Sequence, residues 1–330
     1  MSIRQRSRVS MVFICLLSTY FFIQTPMVNS ADVTYPTKPI KFTVPSAAGG
    51  TTDISSRKLA DLAGKYLGQE IVVENRPGAG NVVGVRFIVK SKPDGYTIGS
   101  ITGSPVTIAP FFQELDYDPA NDLTPIIQYA FSDHPLAVRA DLPIKTFKDF
   151  IEEARKREIT IAGTGNTAAD IAMLRLAAAA KIKLKVVPFG GVAKTIPAVL
   201  GGHTDGVINA GIYEHVRRGD LRLIAQTTRM RNKEFPEVPT LIELGYDIET
   251  AVFWGIIGPK DLPKQIQKKL EEAFTKAAHD PSIPQVMYNC DFTFFYRNAD
   301  DFGKYIKEAY EASEKVFREL GLGRFAKEKK

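Results

Sequence analysis

Two spacings of apolar residues alternate along most of this chain. Short β-type runs ("IKFTV", "EIVVEN", "YTIGSI") are separated by stretches in which apolar residues recur at helical intervals. After "IKFTV", the segment Asp53 to Leu67 puts Leu59, Leu62, Ala63, Tyr66 and Leu67 on one helix face, and Gly68 stands where a C-terminal stop belongs. "RPGAGNVVGVRFIVK" turns into a second helix. "LTPIIQYA" and "PLAVRA" read as strands, "FKDFIEEARKR" as a helix, "ITIAG" as a strand and "ADIAMLRLAAAAK" as a helix. "LKVVPF", "DGVINA" and "LRLIAQT" continue as strands, with "VAKTIPAVLGG" a helix among them. Strands alternating with helices of this length predict parallel sheets joined by helical crossovers.

Two stretches interrupt this rhythm. "YDPANDLTP" has the turn residues of a domain boundary, and "PEVPTLIELGYDIETAVFWGIIGP" reads as the return. Two charged helices follow, roughly Pro263–His279 and Ala299–Leu320. The expectation is a discontinuous first domain, residues 31–130 and 251–330, with residues 131–250 inserted as a second.

Residues 1–30 follow another pattern. Arg4, Arg6 and Arg8 precede the apolar run "VSMVFICLLSTYFFI", and "TPMVNSADV" offers Val28 and Ser30 ahead of Ala31. This has the three-part form of an export signal cleaved near Ser30, and the run is short for a membrane span. The expected location is the periplasm.

Composition changes this picture little. The chain has 330 residues, 44% hydrophobic and 24% charged, which suits two globular domains. The net charge of +6 falls to 6 − 3 = +3 once the three signal arginines are removed. No basic run with interleaved aromatics appears, so nucleic acid is not expected as a partner. Cys15 lies in the signal, so Cys290 alone remains and no internal disulfide is expected.

Candidate chemistry lies in the loops. "VPSAAGGTTD" runs from a strand end through small residues to a helix start, and "ITIAGTGNTAADIAML" repeats that layout. Gly163, Gly165, Asn166 and Thr167 match Gly49, Gly50, Thr51 and Thr52. "GSITGSP" is a third small-residue loop at a strand end. Glycine lets the backbone approach a ligand closely, and a helix N-terminus offers N–H groups to an anion. Tight turns would give the same residues, but their pairing favours binding. Ligands in such sheets lie at the carboxyl ends of strands.

Enzyme signals are poor. "GAGNVVG" is one residue too long for a dinucleotide fingerprint, and no G-K-[ST] phosphate loop occurs. His134, His203, His215 and His279 are scattered without metal-ligand spacing. Ser104 lacks a nucleophile elbow. Asp53 and Asp205 would be the carboxylates to consider as a catalytic pair. Asp205 reads better as a turn acid, while Asp53 borders the presumed ligand loop.

The residues also carry a family likeness. "YPTKPIKFTVPSAAGGTTD", "GQEIVVENRPGAGNVVG", "KPDGYTI", "VPFGGVAKTIPAVLGGHTDG", "LRLIAQTTRMRNKEFPEVPTLIELGY" and "FWGIIGP" occur in order. Together they resemble the periplasmic solute receptors of the tripartite tricarboxylate transporter type, the Bug family. The resemblance implies an α/β, two-domain periplasmic binding protein (type II flytrap) fold, each domain a mostly parallel sheet flanked by helices with ligand in the interdomain cleft. It implies capture of a carboxylated solute largely by backbone N–H groups. The positions carried over are Ser46, Ala47, Gly49, Gly50, Thr51, Asp53 and Ser104 on one domain, and Gly165, Asn166, Thr167, Asn209 and Ala210 on the other. This chain departs from the family at Ser46, where many members have Phe or Tyr, and at Asp170, where many have His. An acid at 170 would disfavour a second carboxylate or pair with a ligand amine.

The reading is thus a periplasmic receptor that catalyses nothing, needs no metal or cofactor, acts as a monomer and delivers a small organic carboxylate to a tripartite tricarboxylate-type permease. An exported α/β hydrolase or isomerase using Asp53 or Ser104, and a ligand-sensing accessory of a signalling partner, are the alternatives. Trp254 has two places open to it, the cleft wall or the core.

Overall fold

The computed structural model describes residues 34–326, apart from 166, 191 and 251 and the side chains of 192 and 193. The export-signal segment lies outside the described residues. Six strands form one sheet: β1 (Ile40–Val44), β2 (Ile71–Asn75), β3 (Thr97–Thr102), β4 (Leu123–Ser132), β10 (Val252–Pro259) and β11 (Thr293–Arg297), in the order β11-β4-β10-β3-β1-β2. Five form the other: β5 (Leu136–Arg139), β6 (Ile159–Gly163), β7 (Leu184–Pro188), β8 (Gly206–Ile208) and β9 (Leu221–Ala225), in the order β7-β6-β8-β5-β9. With the first sheet go α1 (Thr51–Leu67), α2 (Val82–Val89), α3 (Ser104–Thr107), α4 (Ala109–Phe112), α9 (Lys264–Ala278), α10 (Ile283–Asn289) and α11 (Ala299–Leu320). With the second go α5 (Phe147–Lys156), α6 (Ala168–Ala180), α7 (Val192–Leu200) and α8 (Tyr213–Arg217). Each sheet with its helices is called a lobe below. From Tyr35 onward the two pack as one compact unit.

The elements form for local reasons. In β1 four of the five residues are buried, as expected of an inner strand covered on both faces. Helix α1 starts two residues before the predicted Asp53 and stops at Gly68, whose φ of 68° directs its N–H back to the Gly64 carbonyl. Thr146 and Asp149 close a capping box on α5, and Asn298 caps α11.

Strand direction refines the expectation of mostly parallel sheets. β1, β2 and β3 are mutually parallel, as are β6, β7 and β8. β10 runs antiparallel to both β3 and β4, and β5 antiparallel to both β8 and β9. Each reversed strand is the first after the chain passes from one sheet to the other, so it enters its new sheet from the opposite end. Edge strand β11 is the other reversed strand of the first sheet.

Four apolar clusters lie wholly within one lobe each. A fifth joins Ile171 of α6 to Phe111, Phe317 and Phe325 of the first lobe.

Candidate ligand-binding site

Because β1, β2 and β3 are parallel, the loops that follow them share one edge of the first sheet. Ala47, Gly49, Gly50 and Thr51 are exposed there and Ser46 is half-buried. The loops are tied together by side-chain amides. Asn75 Nδ2 donates to the Ser46 carbonyl at 3.0 Å, Ser46 Oγ donates to Asn81 Oδ1 at 3.3 Å, and Asn81 Nδ2 donates to Thr102 Oγ1 at 2.9 Å. Ser104 opens α3 on the same edge, its hydroxyl 3.3 Å from where a Cβ on Gly80 would stand.

Asp53 is turned inward. Its Oδ2 accepts the Gly49 N–H at 2.9 Å, and its Oδ1 accepts from Asn75 at 2.8 Å and pairs with Arg57 Nε at 2.9 Å. Burial works against the charged form, yet the hydrogen bonds from Arg57, Gly49 and Asn75 outweigh it and hold the carboxyl below the usual aspartate range. Asp53 therefore sets the loop's shape, and its charge is balanced by Arg57.

The N-terminus of α1 is bare. Gly50 is its N-cap and offers no side chain, and the first intrahelical bond runs from the Ile54 N–H to the Gly50 carbonyl at 2.9 Å. The N–H groups of Thr51, Thr52 and Asp53 have no partner within the helix. Behind them, Trp254 Nε1 donates to Thr52 Oγ1 at 2.9 Å while its ring packs on Phe292, with centroids 4.1 Å apart. Trp254 is thus a half-buried wall beneath the loop, packed against the first-lobe core.

The second-lobe loop has the same layout and a different end. Asp170 Oδ2 accepts from the Gly165 N–H, the Thr167 N–H and Thr167 Oγ1, each at 2.9 Å. Thr167 Oγ1 in turn accepts the Asp170 N–H at 3.4 Å, completing a capping box on α6. Gly165 has φ of +101°, which favours glycine. Among the described residues, buried Asp170 Oδ1 has no hydrogen-bond partner and no ion pair includes Asp170. The two loops expected to act alike therefore differ. α1 begins with open donors above a neutralised acid, whereas at α6 the Thr167 hydroxyl takes the Asp170 N–H and the N–H groups just ahead of the helix are met by an acid with no cation partner among the described residues. The carboxylate of Asp170 is engaged inside its own loop, which leaves the expected pairing with a ligand amine without support.

Of the remaining second-lobe positions, Ala210 is half-buried after β8. Asn209 is buried and donates from Nδ2 to Thr195 Oγ1 at 2.7 Å. Asn166 lies outside the described residues.

The lobes meet beside these edges. Cys290 Sγ lies 3.6 Å from the Thr51 carbonyl, and the carboxylate of the next residue, Asp291, lies 3.5 Å from where a Cβ on Gly211 would stand. Burial pushes the Cys290 thiol and the Asp291 carboxyl above their ordinary values. At the chain crossing, Tyr213 of α8 donates its hydroxyl hydrogen to buried Asp133, just past β4. Burial raises the Asp133 carboxyl more than this bond lowers it. Neighbouring His134 bonds the Thr250 carbonyl through Nδ1 at 3.0 Å, and burial lowers its pKa. Thr227 and Thr250 bond each other at 2.6 Å beside it, knitting both crossing segments.

With this geometry in place, the chain can be set beside known proteins. Residues 55–322 match the family model described as the tripartite tricarboxylate transporter family receptor. This chain belongs to that family. The receptor is 34% identical over 294 residues to the UPF0065 protein in the gbd 5′ region of Cupriavidus necator, covering 88% of this chain and 90% of that one. A TctC solute binding protein from Polaromonas has the same fold, with a TM-score of 0.80 at 26% identity, covering 86% of the receptor and 99% of that chain. An R. palustris protein whose structure was solved with adipate has a TM-score of 0.72 at 24% identity, over 88% of the receptor and 99% of that chain, and shows the fold alone. The family consists of periplasmic solute-binding receptors rather than enzymes.

The receptor thus brings Ser46, Ala47, Gly49, Gly50, Thr51, Asp53 and Ser104 to one edge, and Gly165, Thr167, Asn209 and Ala210 to loops after β6 and β8 of the other sheet. Asp205 is not near Asp53. It precedes β8, at the opposite strand end, and accepts from Arg157, the Thr160 N–H and Thr160 Oγ1, the turn-acid role expected of it. Sequence reasoning missed Asn75 and Asn81, whose amides fix the first edge. Asn81 has φ of +76°, and its place after the glycines of "GAGN" was the available signal. Nothing in the sequence pointed to Asp291 or Tyr213. A surface hollow of about 750 Å³ between α1 and β2, lined by Arg57, Asp61, Lys65 and Glu70 among others, shares no residue with the loop set. Backbone donors converge at the loops and not at this hollow. Among the described residues no helix is long and apolar enough to cross a membrane, and no His, Cys, Asp and Glu cluster is placed to hold a metal.

Proposed function

We propose that the receptor captures a small organic carboxylate between its lobes, turns nothing over, and hands the solute to a tripartite tricarboxylate-type permease in the membrane. It acts in the periplasm after cleavage of an export signal near Ser30. The lobes are residues 31–130 with 251–330, and 131–250, a division supported by sheet membership, with β4 running on to Ser132.

The observation that carries this reading is the bare N-terminus of α1 above the Asp53–Arg57 pair. Open donors at the positive end of a 17-residue helix suit a carboxylate. The capped start of α6, with uncompensated Asp170, does not suit a second anionic group. One carboxylate of the solute sits on the Gly49–Asp53 segment, with Ser46 and Ser104 beside it. The remainder of the solute faces Gly165, Thr167 and Ala210. Closure removes water and strengthens the bonds made there. A solute shifts the open–closed balance only by its differential affinity for the closed form.

The test is thermal unfolding of residues 31–330 against panels of monocarboxylic, dicarboxylic and amino acids, adipate included. A solute at 100 times its dissociation constant adds about 2.7 kcal/mol. A rise in midpoint with one carboxylate class supports the proposal. No shift with any carboxylate overturns it, and turnover of a bound acid would replace it with the enzyme reading.

A further inference from the structure

Among the described residues, four of five buried apolar clusters stop at the edge of a lobe. The fifth does not. Its second-lobe member is Ile171, buried among Phe111 of α4, Phe317 of α11 and Phe325 near the C-terminus, all of the first lobe. Those aromatics are already organised without it. Phe111 stacks on Phe317 with centroids 4.8 Å apart and on Tyr310 at 5.4 Å, and Phe325 is tilted against Phe111 at 6.3 Å. Arg324 and Arg318 cover Phe325 from outside, at 5.0 and 4.2 Å from its ring centre. The seat is therefore a preformed aromatic cup on one lobe, and a single aliphatic side chain of the other fills it.

The position of Ile171 matters. It lies one residue after Asp170 and four after Thr167, and its N–H donates to the Thr167 carbonyl at 3.0 Å as the first intrahelical bond of α6. The first turn of α6 is thus the Gly165–Asp170 loop on one side and the Ile171 anchor on the other. A rigid first turn cannot let the anchor leave the cup without carrying the loop with it.

We propose that Ile171 is the positioning residue of the capture site: its seat among Phe111, Phe317 and Phe325 fixes the second-lobe loop against the first lobe, and leaving the seat opens the cleft. This rests on the two-loop reading above for its functional meaning. Its geometry stands independently. Ile171 is buried in the aromatic seat, so its expected effect is on how tightly solutes are held and not on which ones.

The test compares wild type, Ile171→Asp, Ile171→Val, Ile171→Ala, Phe325→Ala and the Ile171→Ala/Phe325→Ala pair in residues 31–330. Small-angle X-ray scattering is recorded without solute and with saturating adipate. Ile171→Asp is expected to scatter with a larger radius of gyration than wild type, and Ile171→Val with the wild-type radius. Losing one buried aliphatic seat corresponds to roughly a tenfold or greater loss of affinity, equal for every solute that binds. Phe325→Ala, on the other lobe, should produce the same opening, and the Ile171→Ala/Phe325→Ala pair should cost less than the two single changes added together. Folded Ile171→Asp with wild-type scattering in both conditions overturns the proposal, as does a change in solute preference without a change in radius. If wild type binds no carboxylate, the functional reading fails, while the solute-free scattering still decides the anchor.

Discussion

Asp170 Oδ1 lies 2.0 Å from where a Cβ on Gly163 would stand. Val186 Cγ1 is 2.5 Å from the same point. The last residue of β6 is therefore glycine because the loop acid lies directly over its backbone. Gly163→Ala should lower stability by roughly 1–3 kcal/mol, the usual range for overpacking. Urea unfolding checks this, and Asp170→Ala in the same chain should recover part of the loss. A change under about 0.5 kcal/mol would mean that the acid moves aside freely.

Asp53 should make stability depend on pH in acid. Its folded pKa is depressed, so its contribution is present above the unfolded value of about 3.9 and is lost as pH falls through the lower folded value. Asp53→Asn should cost roughly 1 kcal/mol at pH 7. The gap from wild type should narrow below about pH 4. Midpoints measured across that range test the sign, and a gap that widens in acid would refute it.

Asp133 should behave in the opposite sense. Its folded pKa is raised by burial, so the folded state is favoured below the unfolded value of about 3.9 and that advantage is lost as pH rises through the higher folded value. Asp133→Asn keeps an oxygen to accept from Tyr213 and carries no charge. It should unfold at a higher temperature than wild type at pH 7, with the two converging below about pH 4. Calorimetry at both pH values reads the difference.

Asp170→Asn should alter solute preference. Removing an uncompensated charge at the start of α6 should improve binding of adipate relative to hexanoate by about tenfold, or ~1.4 kcal/mol. The unliganded midpoint should fall, because three donors lose their charged acceptor. Titration calorimetry with both acids is the check. An unchanged ratio would place the second end of the solute away from this loop.

Much of the fold was legible because local signals agreed with it. Gly68 ends α1 as its position predicts, and the alternation of β-type runs with helices gives both sheets. The reversed strands β5 and β10 were not legible. Their sequences, "LAVR" and "VFWGIIGP", are as apolar as parallel strands, and direction is decided by which end of the sheet the chain enters. The loops were found from glycine and hydroxyl spacing. Their difference was not, because the acid stands third in the helix in both "GTTD" and "TAAD", and only the N-cap residue differs, Gly50 in one and Thr167 in the other. With Thr167 the acid joins a capping box, as Asp170 does, and with Gly50 no side chain is offered and Asp53 pairs with Arg57. The Ile171 seat depends on residues 60, 146 and 154 positions away in the chain, and periodicity within α6 is silent on them.

The place of β10 between β3 and β4 has a consequence for how the receptor is made. A chain emerging from the N-terminus completes the five strands of the second sheet by Ala225, while β4 still has neither of its partners, β10 and β11. The lobe that is written first is therefore finished last. Until Pro259 emerges, β3 and β4 present open edges that only a later stretch of the same polypeptide can cover. For the export proposed above, this order gains time: one half has no complete sheet to form until most of the polypeptide has been made.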